Sequence, residues 1–235
     1  MLPFFLGFDP TFILVLPAMA FALWAQWRVK STYDKFAQVP AANGLTGRDM
    51  ARSIMQRNAV DGVAVEEIGG SLSDHYDPRD RTVRLSADIY EGNSIAAIAV
   101  AAHEVGHVLQ HQQGYLPLRM RSSFAPVAGL GSSLAMPLFF IGLLFGRHMP
   151  FGGVLMDLGI VFFAGAVLFH FVTLPVEFDA SRRALRQLTE SGAVMPQEVA
   201  GAKQVLDAAA LTYVAAAAMA ALQLLRLLLL RGDRR

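Results

Sequence analysis

Residues 103–107 read His-Glu-Val-Gly-His inside an apolar, alanine-rich run. On a helix, His103 and His107 stand at i and i+4, with their Cβ atoms about 5–6 Å apart on one face. That separation suits a single tetrahedral zinc ion with Zn–N bonds of about 2.0–2.1 Å. Glu104, next to the first histidine, is placed to take the proton of an attacking water. Gly106 leaves room for another element to approach the helix closely. A motif with three fixed residues in five arises by chance in unrelated chains, so the rest of the chain must supply the remainder of a site.

Two imidazoles under-coordinate zinc, since catalytic centres usually have three protein ligands and one open position. The chain has no cysteine, which leaves His, Asp or Glu for the third. A longer HExxHxxGxxH motif fails, because Gln110 and Gln113 occupy the places of its glycine and last histidine. His111 lies two turns beyond His103, about 12 Å along the axis, too far to share one ion. His148 falls in a turn between apolar blocks and His170 inside one, while His75, in a hairpin, is a further option. Glu177 is the favoured ligand. Two apolar blocks separate it from the motif, and two crossings return a chain to the side it left. A carboxylate beside the apolar stretch 169–178 is expensive unless partnered. Zinc would be that partner; the ordinary alternative is pairing with Arg182 or Arg183.

The elements that position these groups lie in a membrane protein. The 235 residues are 54% hydrophobic, with mean hydropathy +0.41, against about 45–50% apolar for soluble domains. The excess is concentrated in blocks at 11–27, 124–145, 151–176 and 208–230. This composition predicts a mainly α integral membrane protein with three to four transmembrane helices and a small α+β region. Five segments follow: an anchor (1–27), a catalytic region (28–123), a transmembrane helical hairpin (124–176), a helix and connector carrying the third ligand (177–207), and a C-terminal apolar helix (208–235). Phe4, Phe5, Leu6 and Phe8 lengthen the first block, and Trp24 and Trp27 mark an interface belt. The first residues lack a basic region, so a retained anchor is expected rather than a cleaved signal peptide, although Ala18-Met19-Ala20 mimics a cleavage site. A net charge of +1 offers no electrostatic footprint for nucleic acid.

Within 28–123, Thr46-Gly47-Arg48-Asp49 reads as a capping box, with Leu45 and Met50 placed as a hydrophobic staple. The helix it opens runs to about Asn58. Val63, Val65 and Ile68 suggest a strand, and residues 72–76 and 82–85, joined by Asp77-Pro78-Arg79-Asp80, read as a hairpin. Val83 and Leu85 alternate with Thr82, Arg84 and Ser86, which predicts one buried and one wet face. The extended segment 83–89 either receives substrate as an added strand or is an ordinary internal strand. Ser94 caps the motif helix, which ends at Gly114. Gly129, Gly131 and Pro137 interrupt the second block, Pro175 sits near the polar end of the third, the following helix stops near Ser191-Gly192, and Pro196 with Glu198 starts the last. Arg28, Lys30, Lys35, Arg119, Arg121, Arg182, Arg183 and Arg186 flank one membrane side and Arg147 the other. The positive-inside rule then places 28–123 and 177–207 in the cytoplasm. A full fourth crossing would leave Arg231, Arg234 and Arg235 outside.

The blocks SLSDHYDPRDRTVRLS, SIAAIAVAAHEVGHVLQ, LPVEFDASRRAL and AALTYVAAA resemble those of the bacterial membrane-bound neutral zinc metallopeptidases of YugP-like type. The resemblance covers nearly the whole chain. More distantly, the layout is similar to the HtpX and CAAX-prenyl endopeptidase group, which have a gluzincin architecture. It implies a zincin-like catalytic domain, a bacterial inner-membrane location, and a site made of His103, His107, Glu104 and Glu177. In the distant group an Asp follows the ligand Glu by four positions and supports a histidine; this chain has Ser181 there. Asp179 lies about 200° round the helix from Glu177 and is not an obvious substitute.

The expected activity is zinc-dependent peptide-bond hydrolysis, with one zinc per chain and Glu104 as general base. The substrate is a protein or peptide, soluble or membrane-embedded. The oxyanion needs a further donor, for which Tyr213, His75, Arg182 and Arg183 are candidates, each with an ordinary interface or surface role. A zinc-stabilised membrane scaffold without catalysis is the alternative, and Glu104 argues against it. A metal transporter would need facing polar groups inside the spans, whereas these ligands fall at or outside the membrane surface.

Overall fold

A computed structural model describes residues 10–42, 44–145, 151–192 and 194–232. A 3-10 turn (Pro10–Leu14) precedes Leu16–Ala37 (α1) and Gly47–Arg57 (α2). Three strands follow, Ala64–Ile68 (β1), His75–Asp77 (β2) and Thr82–Ser86 (β3). The chain continues through Ala87–Tyr90 (α3), Ile95–Gln112 (α4), Leu116–Phe145 (α5), Gly152–Glu190 (α6) and Pro196–Gly232 (α7). It is a mainly α membrane protein with a small α+β region. Phe4, Phe5, Leu6, Phe8, Arg147, His148, Arg234 and Arg235 lie outside the described residues.

The chain divides into two compact units. One comprises the segments up to Trp24, Met120–Leu174 and from Tyr213 onward. It holds the apolar stretches of α5, α6 and α7, the three helices long and apolar enough to cross a membrane among the described residues. The 11–27 block does not form one such helix: a 3-10 turn takes its start, and Arg28, Lys30, Asp34 and Lys35 occupy the second half of α1. Phe139, Leu143, Met156 and Leu227 make a buried cluster, while Val127, Leu130 and Val161 point outward as lipid-facing side chains would. Gly159 packs against the α5 backbone, where a Cβ would stand 2.7 Å from Ala135 O. Glycine and proline therefore do not interrupt the second block: α5 runs unbroken through Pro126 and Pro137.

The second unit comprises Ala25–Arg119 and Pro175–Thr212. Its α2 begins with the expected capping box: Asp49 N donates to Thr46 Oγ1 (3.2 Å) and Thr46 N to Asp49 Oδ2 (3.4 Å). Met50 is fully buried and Leu45 packs on the same core, as a staple requires. The sheet has the order β1-β3-β2, with β1 parallel and β2 antiparallel to β3. Contrary to the expected alternation, Thr82 and Ser86 are buried along with Val83 and Leu85, and Arg84 is half-buried, so neither face of β3 is fully wet. β3 is also the central strand, with β1 on one edge and β2 on the other, and the chain turns into α3 at Ala87, so 83–89 is an internal strand and a helical turn rather than a free edge for a substrate strand.

Helix α4 is apolar nearly all round, the pattern of a helix enclosed by other elements. Ser94 caps it by accepting from Ala97 N (3.1 Å). Its small residues allow close approach: a Cβ on Gly106 would lie 2.5 Å from Ala180 O of α6. The third apolar block and the helix expected after it are one element, α6, which continues through Pro175 to Glu190. Beyond the proline, Val176, Glu177, Ala180, Ala184 and Leu188 are all buried, at three- and four-residue spacing. That packed stripe offsets the hydrogen bond lost at proline. At the start of α7, Glu198 accepts from Ala42 N (2.6 Å) and Met195 N (2.7 Å), tying the 38–46 loop to the helix.

Candidate metal centre

His103 and His107 project from one face of α4, their ring centroids 4.9 Å apart and nearly perpendicular. Glu177, 2% exposed, enters from α6. Its Oε2 lies 3.3 Å from His103 Nε2 and 3.6 Å from His107 Nε2. One ligand atom from each residue falls within 4.8 Å of the others, a group that could hold a metal ion. Ligand atoms bound tetrahedrally at about 2.0–2.1 Å stand about 3.3–3.4 Å apart. The donor spacing and the N, N, O chemistry therefore fit zinc.

Each imidazole is held by its other nitrogen. Gln110, fully buried, donates through Nε2 to Val176 O (2.8 Å) and Asp179 Oδ2 (2.9 Å). Both of those partners only accept, so the amide oxygen must face His107. His107 Nδ1–H donates to Gln110 Oε1 (3.0 Å), and its Nε2 lone pair is left for the centre. On the other ring, Ser181 Oγ is 3.1 Å from His103 Nδ1. Ser181 thus stands where a histidine-supporting group is needed. Asp179 reaches the other imidazole through Gln110.

Glu104 is buried and makes no hydrogen bond among the described residues. Burial, with smaller contributions from the negative charges of Glu177 and Asp74, pushes its carboxyl up to about 7 against the opposing pull of His103 and His75. A group so poised exchanges a proton near neutrality. Asp74 accepts from Ser86 N (2.7 Å) and Ser86 Oγ (3.1 Å), anchoring the residue before β2 to the end of β3.

The other candidates are placed as follows. His75 is exposed at the start of β2, its Nδ1 bonded to Ser73 O (2.8 Å). Because a carbonyl only accepts, Nδ1 carries the proton, and a neutral His75 has no donor left at Nε2 for an oxyanion. Arg183 pairs with Asp179 (2.5 Å), donates to Gln113 Oε1 (2.5 Å) and lies over the Tyr115 ring. Arg182 is exposed, 3.9 Å from Asp179 Oδ1. Both arginines therefore turn to Asp179. Tyr213 is half-buried in α7 and belongs to the span-bearing unit, whereas the cluster is made entirely by the second unit. His111 bonds Tyr76 Oη through Nδ1 (2.8 Å), and His170 sits against Phe169. Sequence reasoning passed over Gln110 and Asp179. The signal for Gln110 was its position, three residues after His107 on one face of an otherwise apolar helix.

A family model described as "Putative neutral zinc metallopeptidase" matches residues 11–232. The chain is 45% identical over 217 residues to the "Putative membrane protease YugP" of Bacillus subtilis (strain 168), covering 92% of this chain and 94% of that protein. No solved structure matches. With the match running from the 3-10 turn before α1 through the motif helix α4 to α7, the chain belongs to the neutral zinc metallopeptidase family.

Proposed function

We propose that the protein is a membrane-embedded, zinc-dependent metalloendopeptidase. The observation that carries this reading is the convergence of His103 Nε2, His107 Nε2 and Glu177 Oε2 beside a buried Glu104 with no hydrogen-bond partner among the described residues. His103, His107 and Glu177 would hold one zinc per chain. When bound, zinc supplies Lewis acidity that makes water acidic near neutral pH and polarises a carbonyl. Glu104, buried beside the ligands, accepts the proton of the attacking water and returns it to the leaving amine. Gln110 and Ser181 orient the two imidazoles. The substrate is an extended protein or peptide segment, and by the positive-inside rule it is met at the cytoplasmic face of the bacterial inner membrane.

The rival, a zinc-stabilised scaffold without catalysis, has no need of Glu104. Holding a carboxylate at a largely buried position is costly, and a structural centre would gain nothing from it. The test compares wild type with Glu104→Gln on an unstructured protein substrate, with zinc content measured in both. Lost cleavage with unchanged zinc supports the mechanism; equal cleavage rejects it. Glu177→Ala should reduce zinc occupancy, and full retention would remove Glu177 from the ligand set.

A further inference from the structure

One turn beyond His107, α4 borders a cavity of about 320 Å³, at the small end of ligand pockets and large enough for one side chain. Val60, Val63 and Val108 give it apolar walls, and Tyr76, Arg81 and His111 bring polar groups to it. His111 follows His107 by four residues, about 6 Å along the same helix face.

The charges around this cavity are unbalanced in a specific way. In the turn that joins β2 to β3, Asp77 is taken by Arg79 (2.7 Å) and Asp80 by Arg84, which also faces Glu66 at 3.8 Å. Arg81 forms no ion pair among the described residues; its Nη2 donates to the neutral Asp61 carbonyl (2.8 Å), and its guanidinium also hydrogen-bonds the neutral Tyr76 side chain. The backbone at Arg81 has φ +56°, a left-handed conformation that glycine adopts freely and a bulky side chain does not. A strained position that carries arginine, with its charge turned to a cavity, points to use of that side chain.

We propose that the cavity is a substrate-specificity subsite that takes a carboxylate on an apolar stem, with Arg81 as the residue that recognises the charge. The inference rests on the peptidase reading and adds the substrate class to it. A guanidinium recognises carboxylate through two parallel N–H bonds, which a neutral amide cannot match. The valines cover the methylene stem, and Tyr76 Oη supplies a further hydrogen-bonding group. An extended peptide advances about 3.3 Å per residue, so the recognised residue lies within about two positions of the cleaved bond. The carboxylate can come from a glutamate side chain or from the free C-terminus of the substrate.

The experiment digests a random peptide library with full-length, zinc-loaded protein in detergent and sequences the products. Wild type should show glutamate over glutamine by about tenfold or more at one fixed position near the cut. Alternatively, cuts should cluster at that distance from free C-termini and be lost when those termini are amidated. Arg81→Gly, which relaxes the backbone, should still cleave but lose the preference, and Arg81→Glu should favour lysine there. Cleavage without an acidic preference, or a preference unchanged in Arg81→Gly, overturns the subsite and leaves the peptidase reading intact. No cleavage beyond that of Glu104→Gln overturns the peptidase reading and the subsite together.

Discussion

Gln110 and His107 are joined side chain to side chain, with the amide oxygen of Gln110 accepting from His107 Nδ1–H at 3.0 Å. The amide is fixed in that sense because its nitrogen donates to Val176 O and Asp179 Oδ2, both on α6. One buried residue thus sets the tautomer of an α4 imidazole and links it to the helix that brings Glu177.

Gln110→Leu should remove the acceptor for Nδ1–H and the donor for two α6 groups. Partners that orient a metal-bound histidine are typically worth about 10–100-fold in metal affinity. The expected result is a zinc affinity lower by about that factor in a competition assay against a chelator. Zinc affinity unchanged in Gln110→Leu would show that the contact does not position His107.

Ser181→Ala should act on the other imidazole. Loss of its hydroxyl, 3.1 Å from His103 Nδ1, leaves the ring with one fewer orienting contact. About a tenfold weaker zinc affinity is expected, and the change should simply add to that of an Arg182 substitution, since Arg182 turns to Asp179 instead.

Glu104 gives the metal-free protein a characteristic pH dependence. Its folded carboxyl is raised from 4.5 to about 7, chiefly by burial. Between those values the folded chain holds a proton that the unfolded chain has released, so stability falls as pH rises from 4.5 to about 7 and stays lowered above it. The difference amounts to about 3 kcal/mol at most. Denaturation of metal-free wild type and Glu104→Gln at pH 5 and pH 8 should show the variant gaining relative stability at the higher pH. Parallel pH profiles would mean that Glu104 is not held in its neutral form by burial.

Gly106→Ala should separate the two helices that carry the cluster. The added methyl would meet Ala180 O at 2.5 Å and Ala180 C at 3.0 Å, backbone atoms that cannot turn aside. Overpacking of this kind costs about 1–3 kcal/mol. Lower thermal stability and lower zinc occupancy are both expected. Gly129→Ala, where a Cβ meets nothing within 4 Å, is the control and should leave both unchanged.

The sequence alone determined the local parts of this protein. Helical periodicity places His103 and His107 on one face whatever surrounds them, because i and i+4 neighbours are set by the 3.6-residue turn. Apolar block length marked the spans, and the Thr46–Asp49 box and Ser94 marked helix starts, since caps act within a few residues. Glu177 could be nominated from crossing parity and the expense of a lone carboxylate. Only the tertiary structure decided what depends on packing between distant segments. It carried α6 through Pro175, because the buried stripe beyond the proline outweighs one missing hydrogen bond. It made β3 central and closed both its edges, as a long-range pairing with β1 that alternation within 82–86 cannot reveal. It also turned Gln110, which in sequence only ruled out a longer zinc motif, into the support of His107, because its partners lie 66 and 69 residues away.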